Sequence, residues 1–259
     1  MNSTIRKPVL GAPLDALSMS DMLALCAETI ARRRRLLVGV VNAAKLVNMR
    51  RDVALRAAVL STDVILADGM AVVWAARLLG HRLPERVAGI DLMVRLLELA
   101  DREGHRVYCL GATDEVLIAV TREIGQRYRG VQLVGARHGY YRPEEETGIA
   151  AEIAAARPDI LFVAMSPPKK EQFIARWGPE LGVPVCHGVG GAFDVIAGKT
   201  RRAPRWWQRL GLEWLYRVLQ EPRRLWRRYL VTNTLFIGMV LWAWLRGLLP
   251  QPQPQLARS

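Results

Sequence analysis

Cysteine is scarce in this chain. There are three, Cys26, Cys109 and Cys186, an odd number at wide spacing and with no C-x-x-C pair. That argues against a disulfide framework or a cysteine zinc site and leaves a reduced, cytoplasmic setting as the expectation. Cys109 and Cys186 lie in apolar runs and read as small core residues. Histidine is equally thin, four residues scattered without an H-E-x-x-H pair, so no metal site is expected. Met1 to Ser18 contains no apolar h-region, which argues against a secretory signal. There is no internal repeat, and the one low-complexity tract is the Pro-Gln tail after Leu249.

Acid is also in short supply. Against 37 Lys and Arg stand 24 Asp and Glu, a formal charge of +13 and a pI near 10.5. So basic a chain is drawn to nucleic acid, an acidic membrane surface or a phosphorylated substrate. The excess is uneven: Lys199 to Arg228 holds ten Lys or Arg against two Glu, mixed with Trp206, Trp207, Trp214, Tyr216 and Trp226, and Tyr229 follows. Amphipathic rings among arginines suit a membrane interface, where rings sit at headgroup level and arginine meets lipid phosphate. What is plentiful is apolar: 51% of 259 residues, enough for one large domain or a domain with an appendage.

Short valine-rich runs predict strands at Leu36–Val41, Val64–Leu66, Arg106–Leu110, Val131–Val134, Ile160–Ala164 and Val183–Cys186. Helices are predicted over Ser20–Arg35, Asn42–Arg56, Met70–Leu79, Pro143–Ala156 and Lys170–Trp177, with Arg32 to Arg35 a solvated helix end. This alternation predicts an α/β fold, Rossmann-like, with a mostly parallel sheet flanked by helices. Ligands of such sheets sit beyond the carboxyl ends of the strands. Asn42, Asp68-Gly69, Gly111, Ser166 and Gly188 to Gly191 all fall there, so one site built from several loops is expected.

Composition breaks near Lys199. We take 1–200 as the core and 201–259 as a basic, aromatic, helical appendage. Its Leu230 to Leu245 is a run of sixteen mostly apolar residues. A bilayer span needs about 20, so a helix lying in the interface is favoured over a span.

Several motifs admit two readings. Asp68, at a strand end, is either a general base or the cap of the next helix. Gly188-Val189-Gly190-Gly191 either lets backbone N–H groups approach a diphosphate or is a tight turn. Lys169 and Lys170, after Ser166-Pro167-Pro168, either meet phosphate or lie on a solvated loop. The arginines after Arg201 can neutralise a leaving diphosphate, bind lipid headgroups, or do both. No D-x-D motif, which many sugar-nucleotide enzymes use to hold a cation, occurs in the chain.

Taken in order, Val41-Asn42-Ala43, Ala67-Asp68-Gly69-Met70, Arg86-Val87-Ala88-Gly89-Ile90-Asp91, Pro168-Lys169-Lys170-Glu171, Gly188 to Asp194, Arg201-Arg202-Ala203-Pro204 and Glu213 to Arg217 resemble the WecG/TagA/CpsF family of glycosyltransferases. The resemblance runs from about Pro8 to Phe236. It implies an inverting, metal-independent transfer, without a cofactor, from a UDP-sugar to an undecaprenyl-diphosphate-linked sugar in bacterial surface or exopolysaccharide synthesis. It implies a peripheral or monotopic enzyme at the cytoplasmic face of the inner membrane, whose appendage docks on the bilayer and completes the site. Homo-oligomers are also in keeping with it. By that resemblance Asp68 is the base, Asn42 and Arg86 lie near the sugars, and Asp194 lies on the nucleotide side; the strand-end glycines Gly111, Gly190 and Gly191 are expected to bind the nucleotide with it. Arg217, Arg224 and Arg227 meet the diphosphate.

Two positions depart from the family pattern. Val40 stands where many members have Thr, and Lys170 where many have Gln. They put glucose-type and uronic-type donors beside N-acetylmannosamine. Two rivals remain, an idle membrane scaffold and a nucleic-acid-binding protein. The basic stretch runs into sixteen apolar residues that a nucleic-acid arm does not need, so no nucleic-acid partner is expected.

Overall fold

The computed structural model describes residues 6–248, which leaves the Pro-Gln tail outside the described residues. The chain opens with a hairpin the sequence reading missed, β1 (Arg6–Val9) and β2 (Ala12–Asp15). Pro8 and Pro13 hide it, since proline weakens a strand pattern. Helix α1 (Met19–Ala31) leads into β3 (Leu36–Val41). Ser18 caps α1 in a capping box with Asp21. The helix stops short of the predicted Arg35 because Arg33 takes φ +51°. The arginine run then ties to acids rather than lying free: Arg32 to Glu28, Arg33 to Asp159 and Arg35 to Asp63.

The predicted helix Asn42–Arg56 is two helices, α2 (Ala43–Asn48) and α3 (Val53–Leu60). Asp52 breaks it by capping α3, its Oδ1 accepting from Leu55 N at 2.8 Å. Then follow β4 (Val64–Ala67), α4 (Met70–Leu78), α5 (Gly89–Glu103), β5 (Arg106–Gly111), α6 (Asp114–Arg127), β6 (Gln132–Arg137), α7 (Glu146–Ala156), β7 (Ile160–Ala164), α8 (Lys169–Trp177) and β8 (Val185–Gly188). A 3₁₀ turn over Pro143–Glu145 precedes α7. Strand β8 starts and ends two residues later than predicted, which brings His187 into the sheet.

Six strands pair in parallel in the order β4-β3-β8-β7-β5-β6. Strands buried on both faces read as near-continuous apolar runs, which is why most were visible in the sequence. On one face α1, α5 and α6 close over Val38, Leu66, Cys109, Phe162 and Val185. On the other, α7 and α8 cover Leu37, Leu161 and Cys186, and α2, α3 and α4 cover Val41 and Ile65. The hairpin guards the β4 edge: Asp15 Oδ2 accepts from Ile65 N at 2.8 Å.

After β8 come α9 (Ala192–Ile196), α10 (Arg205–Arg209), α11 (Glu213–Gln220) and α12 (Pro222–Leu248). Helix α12 has 27 residues, not the sixteen predicted, because it continues through the arginines on both sides of the apolar run. Its Leu225–Gly247 segment is long and apolar enough to cross a membrane, with a mean hydropathy of 1.3. Yet α12 lies against α2, and Phe236 and Val240 are buried in the core beside Leu46 and Val47. A spanning pose would have to pull these side chains out of the protein.

Candidate active site

A cleft of about 2060 Å³ opens beyond the carboxyl ends of the strands, as expected for a parallel sheet. Each strand end sends something to it. Strand β3 delivers Asn42, β4 Asp68 and Gly69, β5 Ala112 and Thr113, β7 Met165 and Ser166, and β8 Gly188 to Gly191. The appendage supplies the far wall with Glu213, Trp214, Arg217 and Arg228.

Asp68 does not cap the helix that follows it. Gly69 is the N-cap of α4 and makes no side-chain cap. Instead Asp68 Oδ1 accepts from Gly89 N at 2.8 Å, the first residue of α5. The carboxylate thus meets an otherwise unpaired N–H at a helix start, where negative charge is favoured. Its Oδ2 has no hydrogen-bond partner among the described residues, and the side chain lines the cleft. Asn42 caps α2, its Oδ1 accepting from Lys45 N at 3.0 Å. That leaves its amide nitrogen beside the cleft.

Lys170 is not a solvated loop residue. It is 5% exposed, at the start of α8, with Glu171 at 6% and Lys45 at 8%. Glu171 Oε1 lies 2.7 Å from Lys45 Nζ and 3.4 Å from Lys170 Nζ. Lys45 Nζ also donates to Val40 O at 2.6 Å. Two ammoniums therefore share one carboxylate under the glycine turn. Burial, reinforced by the Lys45 charge, pulls Lys170 down to about 8. Burial works to raise Glu171, but the two lysines outweigh it and hold it below its ordinary range.

At the end of β8, Gly190 takes φ +53°, a backbone that glycine adopts without strain. A Cβ on Gly191 would sit 3.7 Å from Arg217 Nη1 and 3.8 Å from Asp194 Oδ2. The appendage thus brings Arg217 to the glycine turn. Among the described residues, Arg217 has no carboxylate at ion-pair distance.

Arg86 lines the same cleft, but its charge is spent on protein. It meets Glu213 Oε2 at 3.0 Å and Asp91 Oδ2 at 3.2 Å, and donates to Gln208 Oε1 at 3.2 Å. Arg202 forks onto Asp91, at 2.6 and 2.8 Å, and lies 3.8 Å from Glu213. Two arginines and two carboxylates make a neutral box that joins α5 of the core to α11 of the appendage. From the sequence, Arg86 was expected near the sugars and Arg202 among the arginines open to a diphosphate or lipid headgroups, whereas both pair with Asp91 and Glu213, which were quoted in motifs without a role. Lys45, Glu171 as a partner, and His187 were missed.

Three nucleotide-side or diphosphate residues sit differently from the rest. Gly111 is one residue short of the lining; at φ +129° its missing Cβ lets β7 approach, since a Cβ would fall 2.3 Å from Ala164 O. Arg227 is exposed, its guanidinium 5.9 Å from the Trp226 ring centre, and does not line the cleft. On α12 the cleft is lined by Leu225, Tyr229, Asn233, Phe236 and Val240 and, beside them, by Leu230, Ile237 and Leu241, whereas Arg227 shares the helical spacing of Val231 on the face turned away. The Arg224 side chain lies outside the described residues.

Comparison with known proteins bears on the whole chain. A family model described as the glycosyl transferase WecG/TagA/CpsF family matches residues 7–249. A protein of Bacillus spizizenii named N-acetylglucosaminyldiphosphoundecaprenol N-acetyl-beta-D-mannosaminyltransferase is 39% identical over 170 residues, 66% of this chain and 65% of that protein. A Bacillus subtilis protein of the same name matches to the same extent. The chain thus matches just under two thirds of the length of these relatives.

Proposed function

The chain belongs to the glycosyl transferase WecG/TagA/CpsF family, and on that premise we propose that it moves a sugar from a UDP-sugar onto a polyprenyl-diphosphate-linked saccharide. The observation that carries this reading is the spacing of two groups in one cleft. Asp68 ends β4 and the Gly190-Gly191 turn, with Arg217 beside it, ends β8; β3 lies between. Two strand spacings are roughly 10 Å, room for a hexose ring between a base and a diphosphate.

Asp68 takes the proton of the acceptor hydroxyl. That oxygen attacks C1 of the donor sugar from the face opposite the phosphate. The new C–O bond forms as the bond from C1 to the β-phosphate oxygen breaks, with inversion. UDP departs with its charge met by Arg217 and the backbone N–H groups of the glycine turn, and Asp194 faces the nucleotide. Asn42, beyond β3, contacts the sugar between them. General-base help is typically worth about 10²–10⁴-fold. Asp68→Asn should keep UDP binding and lose turnover on that scale; full turnover from a folded variant refutes the assignment.

The acceptor's lipid brings the enzyme to the membrane. Helix α12 turns Val231, Trp242 and Leu245 away from the cleft, each about half exposed, with Arg223 and Arg227 exposed at one end and Arg246 at the other. An apolar stripe with arginine at its ends suits an interfacial helix, here at the cytoplasmic face of a bacterial inner membrane. The relatives' name makes N-acetylmannosamine the first donor sugar to try, with glucose- and uronic-type donors beside it because of Val40 and Lys170. UDP release across that panel, with N-acetylglucosaminyl-diphospholipid as acceptor, tests the reaction. Acceptor-dependent release with one donor supports it, and no release from protein that binds UDP refutes it.

A further inference from the structure

His187 is fully buried in β8, edge-on to Phe162 with ring centres 6.3 Å apart. Nothing in the chemistry above uses it. Its Nε2 lies 2.9 Å from Gly89 O. A carbonyl only accepts, so Nε2 carries the proton and donates. On the other side of the same residue, Gly89 N–H donates to Asp68 Oδ1 at 2.8 Å. One glycine, bound at both ends, joins a buried imidazole to the carboxylate that faces the cleft.

We propose that His187, acting through Gly89, is a positioning residue that holds the Asp68 carboxylate in the orientation for proton abstraction. This rests on the reading of Asp68 as the base. Three features make the link stiff. Gly89 begins α5, and the Ala88 N-cap offers no side chain to that helix start. Gly89 itself is therefore placed by Asp68 and His187, while Asp91, two residues on, ties the same turn to Arg86 and Arg202. Gly89 has no side chain of its own to anchor it, and it packs against the imidazole. His187 sits on a central strand, the most rigid support the fold has.

The link also works in one protonation state. Burial pulls His187 down to about 4; the charged groups that act on it are Lys170, which lowers it further, and Asp68, which raises it. The ring is therefore neutral at working pH, with one N–H, and that N–H is committed to Gly89.

The test compares wild type, His187→Leu, His187→Gln, Asp68→Asn and the Leu/Asn double variant, with UDP binding as the check of the fold. His187→Leu removes the donor and should cut kcat by about ten- to a hundredfold, as small misplacements of reacting groups do, with the KM for UDP-sugar little changed. His187→Gln keeps an N–H and should restore most of the rate. On the Asp68→Asn background His187→Leu should cost nothing more, because both act through one group. Full activity of Asp68→Asn would sink the reading of the base. A dead Asp68→Asn beside a fully active His187→Leu, or losses that multiply, would sink the positioning role alone. Should His187→Leu not fold, ¹⁵N spectra of wild type decide: a neutral ring protonated at Nε2 near pH 7 is expected, and an imidazolium or a ring protonated at Nδ1 overturns the link.

Discussion

Asp91→Asn tests whether the appendage is part of the site or merely attached to it. Asp91 accepts two bonds from Arg202 and one from Arg86, and Arg86 in turn holds Glu213 on α11. Replacing the carboxylate by an amide leaves two guanidiniums facing one carboxylate. Hydrogen bonds to charged groups are worth about 1.5–3 kcal/mol each. The Asp91 side chain is 35% exposed, so solvent screens part of this, and about 2 kcal/mol is a fair total for the loss. Glu213 and Arg217 are one helical turn apart on α11, so slack at Glu213 is passed to Arg217 beside Gly191. If the whole amount falls on placement of Arg217, UDP binds up to about thirtyfold more weakly. Calorimetry of UDP binding measures this, and limited trypsin cleavage in 201–213 reports whether the appendage has loosened. Glu28→Gln, which removes only the exposed pair with Arg32, is the control and should change neither. Asp91→Asn with UDP affinity within twofold of wild type, and unchanged cleavage, would refute the coupling.

Two further outcomes follow from the same contacts, beside those already set for Asp68 and His187. Lys170 is held at about 8 in the folded chain against an ordinary 10.5. Between those values the unfolded chain binds more protons, so wild-type stability rises with pH across that window; urea unfolding of Lys170→Gln should lack this rise, and parallel profiles would contradict the burial argument. Val231→Asp with Leu245→Asp places two charges on the stripe of α12 turned away from the cleft, and sedimentation with anionic vesicles should fall by about a hundredfold; undiminished binding would mean that another surface meets the lipid.

The sheet was legible because its strands are buried on both sides, so Leu36–Val41 and Ile160–Ala164 stand out as unbroken apolar runs. The location of the cleft followed, because glycine and polar residues mark strand ends. The hairpin was not legible: what pins it is Asp15 reaching Ile65, fifty residues away. The break between α2 and α3 had a signal in Asp52, overridden by the apolar periodicity on both sides. The charge box had none, since Arg202 and Asp91 are 111 residues apart and Arg86 and Glu213 are 127. A single sequence shows charges but not which pairs cancel. His187 hid in the same way: one imidazole in an apolar strand reads as a core residue, and only its partner across 98 residues gives it a use.

That cancellation sorts the basic residues of the cleft. A base that must stay ionised and a leaving group that departs as an anion repel each other, and a site for both has to keep them apart and offset each separately. Asp68 is offset by the start of α5 through Gly89. The positive charge for the anion must then come from residues not already neutralised. Arg86 and Arg202 are neutralised by Asp91 and Glu213, whereas Lys45 and Lys170 share Glu171 and leave one positive charge under the glycine turn. Arg142 and Lys169 of the core, and Lys199, Arg201, Arg217 and Arg228 of the following segment, line the cleft with no carboxylate at ion-pair distance among the described residues. On the proposed reading the leaving anion is therefore met from two sides, by core cations and by the segment that also carries the outward apolar stripe, while the proton goes to a carboxylate built into the sheet. Docking of that segment, held by the Asp91–Arg202 fork, closes the two sides around one cleft.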